Sequence, residues 1–556
     1  MTGMAWLLTL LLAACSGSPG GNDTETPPPP TPEPDAVISI SITASTTLLG
    51  TGGTTQLTAE LEVQGSPDPS IDWTTSDPLI ASVDTGGSVT GIAPGEVTIR
   101  GTSLTSPTVY DEVTLRIATF GPATSDGPGA VDLGDLAPLP DGSLYVLGAF
   151  TGSEVTFGDH TLNPPEWFPD PGAFITNAFV AKLAPDGRWA WARLAGGLGS
   201  TASGATVLPD GSAIVTGTYE AEGTFGDHTL RSEGASDAFV ARIAPDGTWM
   251  WARSVGGADE DFGMDGTRLT GGSILVAAYT YSDDFAIGGD VLPPADPRGS
   301  TILATISMDG DWGWVRTANV GSYGGSPITA TKDGGALFAG YFTGSLTLGD
   351  RRLFADLGTT EAVVAKIDAD GTWQWANQSD SSNETTATSV TVTPGGRTWI
   401  SGYHDDAARF DDATLPALGS DSYVASLTPG GMWQSARGMP STGTTDIPSI
   451  APTSDGEIIV ASAYGGTITL DDTTLADVGD ESGLLIARTS PTTWRWARQV
   501  GTAEFMWNPR IVTWPNGSIA VAGSFRGSAR FTGVEATSQE GDVYVLKLDP
   551  MGLPER

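Results

Sequence analysis

The chain has 556 residues, 66 of them acidic and 26 basic, and its formal charge of −40 repels phosphate backbones, which excludes a nucleic-acid partner. With 74 Gly, 38 Pro and only 17% charged residues, the composition favours turn-rich β structure over long charged helices. A single cysteine excludes intrachain disulfides, CxxC redox pairs and cysteine-built zinc sites.

Residues 5–14, AWLLTLLLAA, form an apolar run too short to cross a bilayer core, which takes roughly 20 helical residues. The run reads as the hydrophobic region of a secretory leader. It ends in Leu12-Ala13-Ala14-Cys15, which resembles the lipobox of bacterial lipoprotein signal peptides. That resemblance implies a leader over 1–15 and lipidation at Cys15, with the membrane as partner through the lipid chains. Met1 to Met4 carry no Lys or Arg, a departure from the usual positively charged start. Residues 16–35, SGSPGGNDTETPPPPTPEPD, hold four acids, no base and many prolines, the composition of an extended spacer.

From residue 36 to 118 short runs alternate apolar and polar residues, as in VISISI (37–42) and EVTIRG (96–101), with Gly, Pro and Asp between them. Period-2 alternation with regular turns predicts a β-sandwich of half-buried strands. The ordered set Trp73, Val83-Asp84, Val89-Thr90-Gly91 and Gly95 resembles the group 2 bacterial immunoglobulin-like domain. The resemblance implies a spacer or adhesion module, with Trp73 in the core and Asp84, Gly91 and Gly95 in turns.

A repeat of about 61 residues dominates residues 119–556. Its signature is RWAWAR at 188–193, TWMWAR at 248–253, DWGWVR at 311–316, TWQWAN at 372–377, MWQSAR at 432–437 and TWRWAR at 493–498. Each is preceded by a phrase such as AFVAKLAPDG (178–187), and a further turn occurs seven times, from Asp141-Gly142 to Asn516-Gly517. Asp-Gly and Asn-Gly between alternating runs signal hairpins, with both turn residues expected at positive φ. Four antiparallel strands per copy, repeated radially, make a propeller blade. The expected fold is therefore all-β: an Ig-like sandwich followed by a β-propeller of seven four-stranded blades, with a six-bladed ring and an irregular remainder as the alternative. The phrases resemble the bacterial β-propeller repeat family of secreted and surface proteins, which implies the fold and no particular chemistry. The last copy ends in LPER without its Trp strand, so a segment within Val113 to Ser125 is expected to complete the final blade.

Trp189-x-Trp191-x-Arg193 puts three side chains on one strand face, and its recurrence marks a blade-to-blade core more than a sugar platform. His160 and His228 recur in FGDHTL phrases and read as turn residues; His404 is the one histidine with acids beside it, Asp405 and Asp406, and is nonetheless read as non-catalytic. Asp259, Asp261 and Asp265 offer clustered oxygens for calcium, but not in EF-hand order, and no other cofactor is expected. The insertion NPPEWFPDPGAFITN (163–177) replaces a seven-residue loop of the next copy, and its Trp167 and Phe168 are candidate ligand contacts. Dinucleotide, phosphate-loop and HExxH fingerprints are absent.

These features predict a non-catalytic cell-surface lipoprotein of the bacterial envelope, displayed at the outer membrane or cell surface. Its propeller would be an adhesion or binding scaffold for a glycan or protein. Two enzymatic alternatives remain open: a glycosidase of the sialidase type, because DGTW at 246–249 and 370–373 resembles its Asp-box, and a quinone-dependent dehydrogenase.

Overall fold

The computed structural model describes residues 35–44, 48–50, 54–92, 95–118, 125–164, 175–185, 187–292, 299–321, 327–416, 420–476, 478–479, 481–532 and 534–553. Cys15, the leader, most of the spacer and the Trp167–Phe168 pair lie outside them. Every regular element among the described residues is a β-strand.

The N-terminal sandwich has two four-stranded sheets. One joins Ala36–Ala44, Thr54–Gln64, Ser88–Gly91 and Ala81–Val83; the other joins Leu48–Gly50, Tyr110–Ala118, Gly95–Ser103 and Ile71–Thr75. Alternation sends Leu57, Val89, Val97, Ile99, Leu115 and Ile117 inward, where half-buried Trp73 packs on them. Asp84 accepts the N–H groups of Gly86 and Ser88, the turn role its sequence position implies.

In the repeat region, blade 2 shows the unit: Thr201–Val207, Ala213–Tyr219, Asp237–Ile243 and Trp249–Val255 pair antiparallel in that order. The innermost strands are Val131–Pro138, Thr201–Val207, Asp261–Arg268, Ile328–Ala330, Ser389–Val392, Ser449–Pro452 and the C-terminal half of Trp494–Thr513. Each touches the next, and the last touches the first, so the ring is closed. The hairpin turns differ from the expected form in one respect. Gly142 and Gly211 are left-handed, with φ of 87° and 82°, but their preceding aspartates are not. Each aspartate instead accepts the N–H two residues on, from Ser143 and Ser212, which stabilises a longer turn without a strained non-glycine residue.

Neighbouring blades are clamped by the Trp-x-Arg pattern. Trp191 Nε1 donates to Pro245 O at 3.0 Å and Arg193 Nε to Gly247 O at 3.1 Å, both in the last turn of the next blade. Trp251 and Arg253 repeat this on Met308 and Gly310, and Trp314 and Arg316 on Ala369 and Gly371. Each guanidinium lies 5.5–5.7 Å from the neighbouring indole centroid. Hydrogen bonds of this kind contribute about 1 kcal/mol each, and the rings, buried for Trp191 and Trp251 and half-buried for Trp314, add apolar contact.

The closing seam lacks this clamp. Blade 7 consists of the end of Trp494–Thr513 with Ile519–Phe531 and Val534–Leu548. Trp514 Nε1 donates to Leu139 O, Arg510 Nε to Gly134 O, and Lys547 Nζ to the carbonyls of Gly142 and Pro185. The expected closing window is corrected in part: Val113–Ala118 belong to sandwich strand Tyr110–Ala118, 119–124 lie outside the described residues, and among the described residues of the window Ser125 is hydrogen-bonded to blade 7. Ser125 Oγ donates to Asp542 Oδ1 at 2.9 Å and accepts Val543 N–H at 3.3 Å. Ser379 does the same in blade 4, donating to Glu361 and accepting Ala362 N–H. Ser125–Asp126 also pairs with Thr156–Phe157, as Asp380–Ser381 pairs with Ala408–Arg409. The described start of the repeat region, Ser125–Asp126, thus occupies in blade 7 the place that Ser379–Ser381, at the end of the fourth strand, hold in blade 4. Replacing Ser125 by Ala strands a buried carboxylate and N–H, and a loss of about 1–3 kcal/mol is expected in urea unfolding. An unchanged midpoint would show that the seam does not depend on this residue.

Candidate functional site

The first strands of blades 1, 2, 3 and 7 share a register shift, between Leu133 and Asp135, Ala202 and Gly204, Gly263 and Asp265, and Trp507 and Arg510. An extra residue at one height re-aims the side chain that follows it. Asp135, Gly204, Asp265, Ser449 and Arg510 are equivalent in their blades, opposite Leu147, Thr216, Ala277, Ala461 and Ala522. Backbones approach closely here: a Cβ on Gly134 would sit 2.0 Å from Ala202 O, so only glycine fits.

The resulting floor is a buried ionic group. Asp135 Oδ2 accepts Ala205 N–H at 3.0 Å, Asp265 Oδ2 accepts Ile328 N–H at 3.4 Å, and Arg510 faces the charges of Asp135, Asp446 and Asp265. Burial pushes the Asp135 carboxyl up to about 6 against the pull of Arg510. Burial, then the charge of Asp135, raises Asp265 well above the usual carboxylate range.

Above this floor opens a cavity of about 470 Å³, at the end of the ring where first strands begin and second strands finish. Its wall includes Phe262, Tyr279, Tyr281, Tyr341, Asp132, Asn508 and Arg510. The Tyr279 and Tyr281 rings are 5.4 Å apart at 87°, and Phe262 and Tyr281 are 6.5 Å apart at 85°. Asp132 Oδ1 accepts the Trp507 indole N–H at 2.7 Å, and Trp507 adjoins exposed Phe505 at 5.5 Å. Volume, apolar lining and a few convergent polar groups fit a small-molecule or oligomer site.

The residues singled out in sequence fall elsewhere. Asp259, Asp261 and Asp265 form no shared donor set: Asp259 is exposed, Asp261 is buried accepting from Gly257 N–H and Ser282 Oγ, and Asp265 belongs to the axial group. The register shift between Asp261 and Asp265 separates their surroundings, and no three His, Cys, Asp or Glu side chains among the described residues gather as metal ligands. The calcium expectation therefore has no support in this arrangement. Trp167, Phe168 and Cys15 lie outside the described residues, although Thr176, at the described end of the same insertion, lines the cavity. His404 is buried, with Nδ1 2.7 Å from Asp406 O, and is not among the cavity residues. Arg510 is the single arginine among the described lining residues, where a sialidase-type site would need three. The aromatic wall was missed because it does not recur. Phe262 stands where blade 2 has Thr201 and Arg510 where it has Gly204, so departures from the repeat were the available signal.

Residues 36–113 match the family described as bacterial Ig-like domain (group 2). No curated protein matches the chain. Among solved structures it is similar to a protein of unknown function from Dyadobacter fermentans, at 13% identity over 76% of this chain and 98% of that one, with a TM-score of 0.35. It is also similar to a puromycin hydrolase variant (12% identity, 76% of this chain, 53% of that one, TM-score 0.38). A third is an N11 neuraminidase-like protein of a flat-faced bat isolate from Peru (9%, 67%, 92%, 0.34).

Asp135 and Asp265 titrate above the unfolded value of about 4, so their stabilising contribution is complete below that value and is lost as pH rises through their folded values. Asp333, held by Lys366 and Thr331, and Asp455, held by the Thr453 hydroxyl and Arg488, are lowered and lose theirs only as pH falls through their folded values, below about 4. The urea midpoint should therefore rise from about pH 7.5 to about pH 5 before collapsing in stronger acid, and Asp265→Asn should flatten that rise. A midpoint that declines steadily from pH 7.5 would contradict this account of the axial group.

Proposed function

We propose that this is an exported, envelope-anchored binding protein whose propeller takes a glycan in the axial cavity, with the sandwich and the Pro-rich segment as spacers. The observation that carries the reading is the cavity wall, where Phe262, Tyr279, Tyr281 and Tyr341 stand beside Asp132 and Asn508. Aromatic faces stack on the apolar faces of sugar rings while nearby polar groups fix orientation. The match at 36–113 to a bacterial Ig-like family supports export, and the leader-like residues 5–15 with Cys15 support a lipid anchor.

A binding role without catalysis is favoured by how the polar groups are used. Asp135 and Asp265 each hold a backbone N–H of the adjoining blade and share Arg510. Asn508 is likewise spent on the neighbouring blades, its N–H on Asp446 of blade 6 and its amide on Leu133 O of blade 1. Glycoside hydrolysis needs two carboxyl groups at the substrate, and among the described lining residues Asp132 is the one carboxylate, while Asp135 and Asp265 serve the ring.

Two experiments test the reading. Titrating the full-length chain with a panel of envelope polysaccharides and oligosaccharides should give at least one ligand with Kd in the micromolar range, weakened about tenfold by Tyr281→Ala. Absence of any binding at high micromolar concentration, or hydrolysis of a bound sugar, would count against a binding scaffold. For the anchor, metabolic labelling with palmitate should mark the wild-type chain in membranes, whereas Cys15→Ser should be unlabelled and released from them. Retention of label in that variant would refute lipidation at Cys15.

A further inference from the structure

We infer that the ligand of the axial cavity carries an organic cation, an alkylammonium group, at the point where it meets the aromatic wall. This rests on the reading of the cavity as the binding site and names the chemistry it selects.

The first argument is ring geometry. Tyr279, Tyr281 and Phe262 meet at 87° and 85°, so their faces form a corner instead of one flat platform. Perpendicular rings present several negative faces to one point, the arrangement that attracts an ammonium group, whereas a neutral pyranose gains most from a single open face. Tyr281 and Phe262 are 44% and 36% exposed, so these faces are reachable.

The second argument is charge. Arg510 is the only cation among the described lining residues; it is buried, donates to Gly134 O and is outnumbered by Asp135, Asp265 and Asp446 around it. Asp132, exposed on the cavity wall, accepts one hydrogen bond from Trp507 and retains a second carboxylate oxygen. Residues 119–556 carry 24 bases against 53 acids, a field that concentrates cations and repels anions at the cavity mouth. Rings, carboxylate and long-range field favour the same sign of charge.

An amino sugar with unacetylated nitrogen and a quaternary ammonium headgroup share this chemistry. Calorimetry on the full-length chain with a glucosamine tetramer, the matching N-acetylglucosamine tetramer and choline separates them. The glucosamine tetramer or choline should bind at least about tenfold more tightly than the acetylated sugar. That binding should weaken as NaCl rises from roughly 50 to 500 mM, and also with Asp132→Asn and Tyr281→Ala. Both variants alter exposed side chains, and an unchanged melting midpoint verifies that the ring is intact. Tight choline binding alone identifies a quaternary headgroup, and tight glucosamine binding alone an amino sugar; each supports the inference. Equal or tighter binding of the acetylated tetramer overturns the cation while leaving the glycan reading in place. Silence from all three probes, while another neutral glycan binds and is lost in Tyr281→Ala, likewise overturns the cation alone. Silence from every sugar and cation overturns both.

Discussion

A ring of blades holds only if each blade grips the next, and at three interfaces that grip is a tryptophan and an arginine on an outer strand reaching two carbonyls of a turn one blade ahead. Trp191 and Arg193 reach Pro245 and Gly247, and Trp251 and Arg253 reach Met308 and Gly310. Because donor and acceptor lie on successive copies, both the spacing between them and the turn that presents the carbonyl must recur. The period of about 61 residues is thus tied to an interface as well as to a strand count. The Asp-Gly turn closes a hairpin, and in the same turn its carbonyls become the neighbour's acceptors.

Later interfaces keep only part of this grip: Asn377 stands for the arginine and reaches Gly431 O, Ser435 stands for the second tryptophan, and Arg498 reaches Met551 O while the Trp496 indole N–H has no partner among the described residues. One interface cannot follow the rule at all, because it joins the last blade to the first. At the seam of blades 7 and 1 the grip passes to Trp514, Lys547, Arg510 and Asn508, with Ser125 standing in for Ser379 of blade 4. Freed from the repeat, the seam carries residues with no counterpart in other blades. Trp507, Asn508 and Arg510 from its blade 7 side and Asp132 from its blade 1 side adjoin or line the cavity. The break in symmetry is where the proposed ligand would meet the ring.

This division explains what the sequence disclosed. The blades, their strand order, the sandwich and the inter-blade role of the Trp-x-Arg face were legible because each is written several times over, or in an ordered motif such as Trp73 through Gly95. The turn form was misread because Asp-Gly suits more than one hairpin, and the choice was made by aspartate capping of Ser143 and Ser212. Asp259, Asp261 and Asp265 are close in sequence, but a one-residue register shift sends two of them into different surroundings. The cavity residues stayed hidden because Asp132, Phe262, Tyr341 and Arg510 come from blades 1, 3, 4 and 7, and only ring closure brings them together.

The axial carboxylates have a cost that hydrogen bonding alone does not require. The first strands leave an N–H of the adjoining blade pointing at the axis, and a buried donor without an acceptor costs about 1–3 kcal/mol. Ser449 meets that need for Ile511 with a neutral hydroxyl, at the position where blades 1 and 3 have Asp135 and Asp265. Since serine suffices, the charge at the other two places answers to something else. Arg510 accounts for part of it, because a buried guanidinium needs a counter-charge. One carboxylate would neutralise it, yet Asp135, Asp265 and Asp446 all face it, and the surplus is relieved in part by the raised proton affinity of Asp135 and Asp265. With its one buried cation faced by three carboxyl groups, the floor leaves no unbalanced positive charge beneath the cavity, which is the electrostatic setting the proposed cation would require.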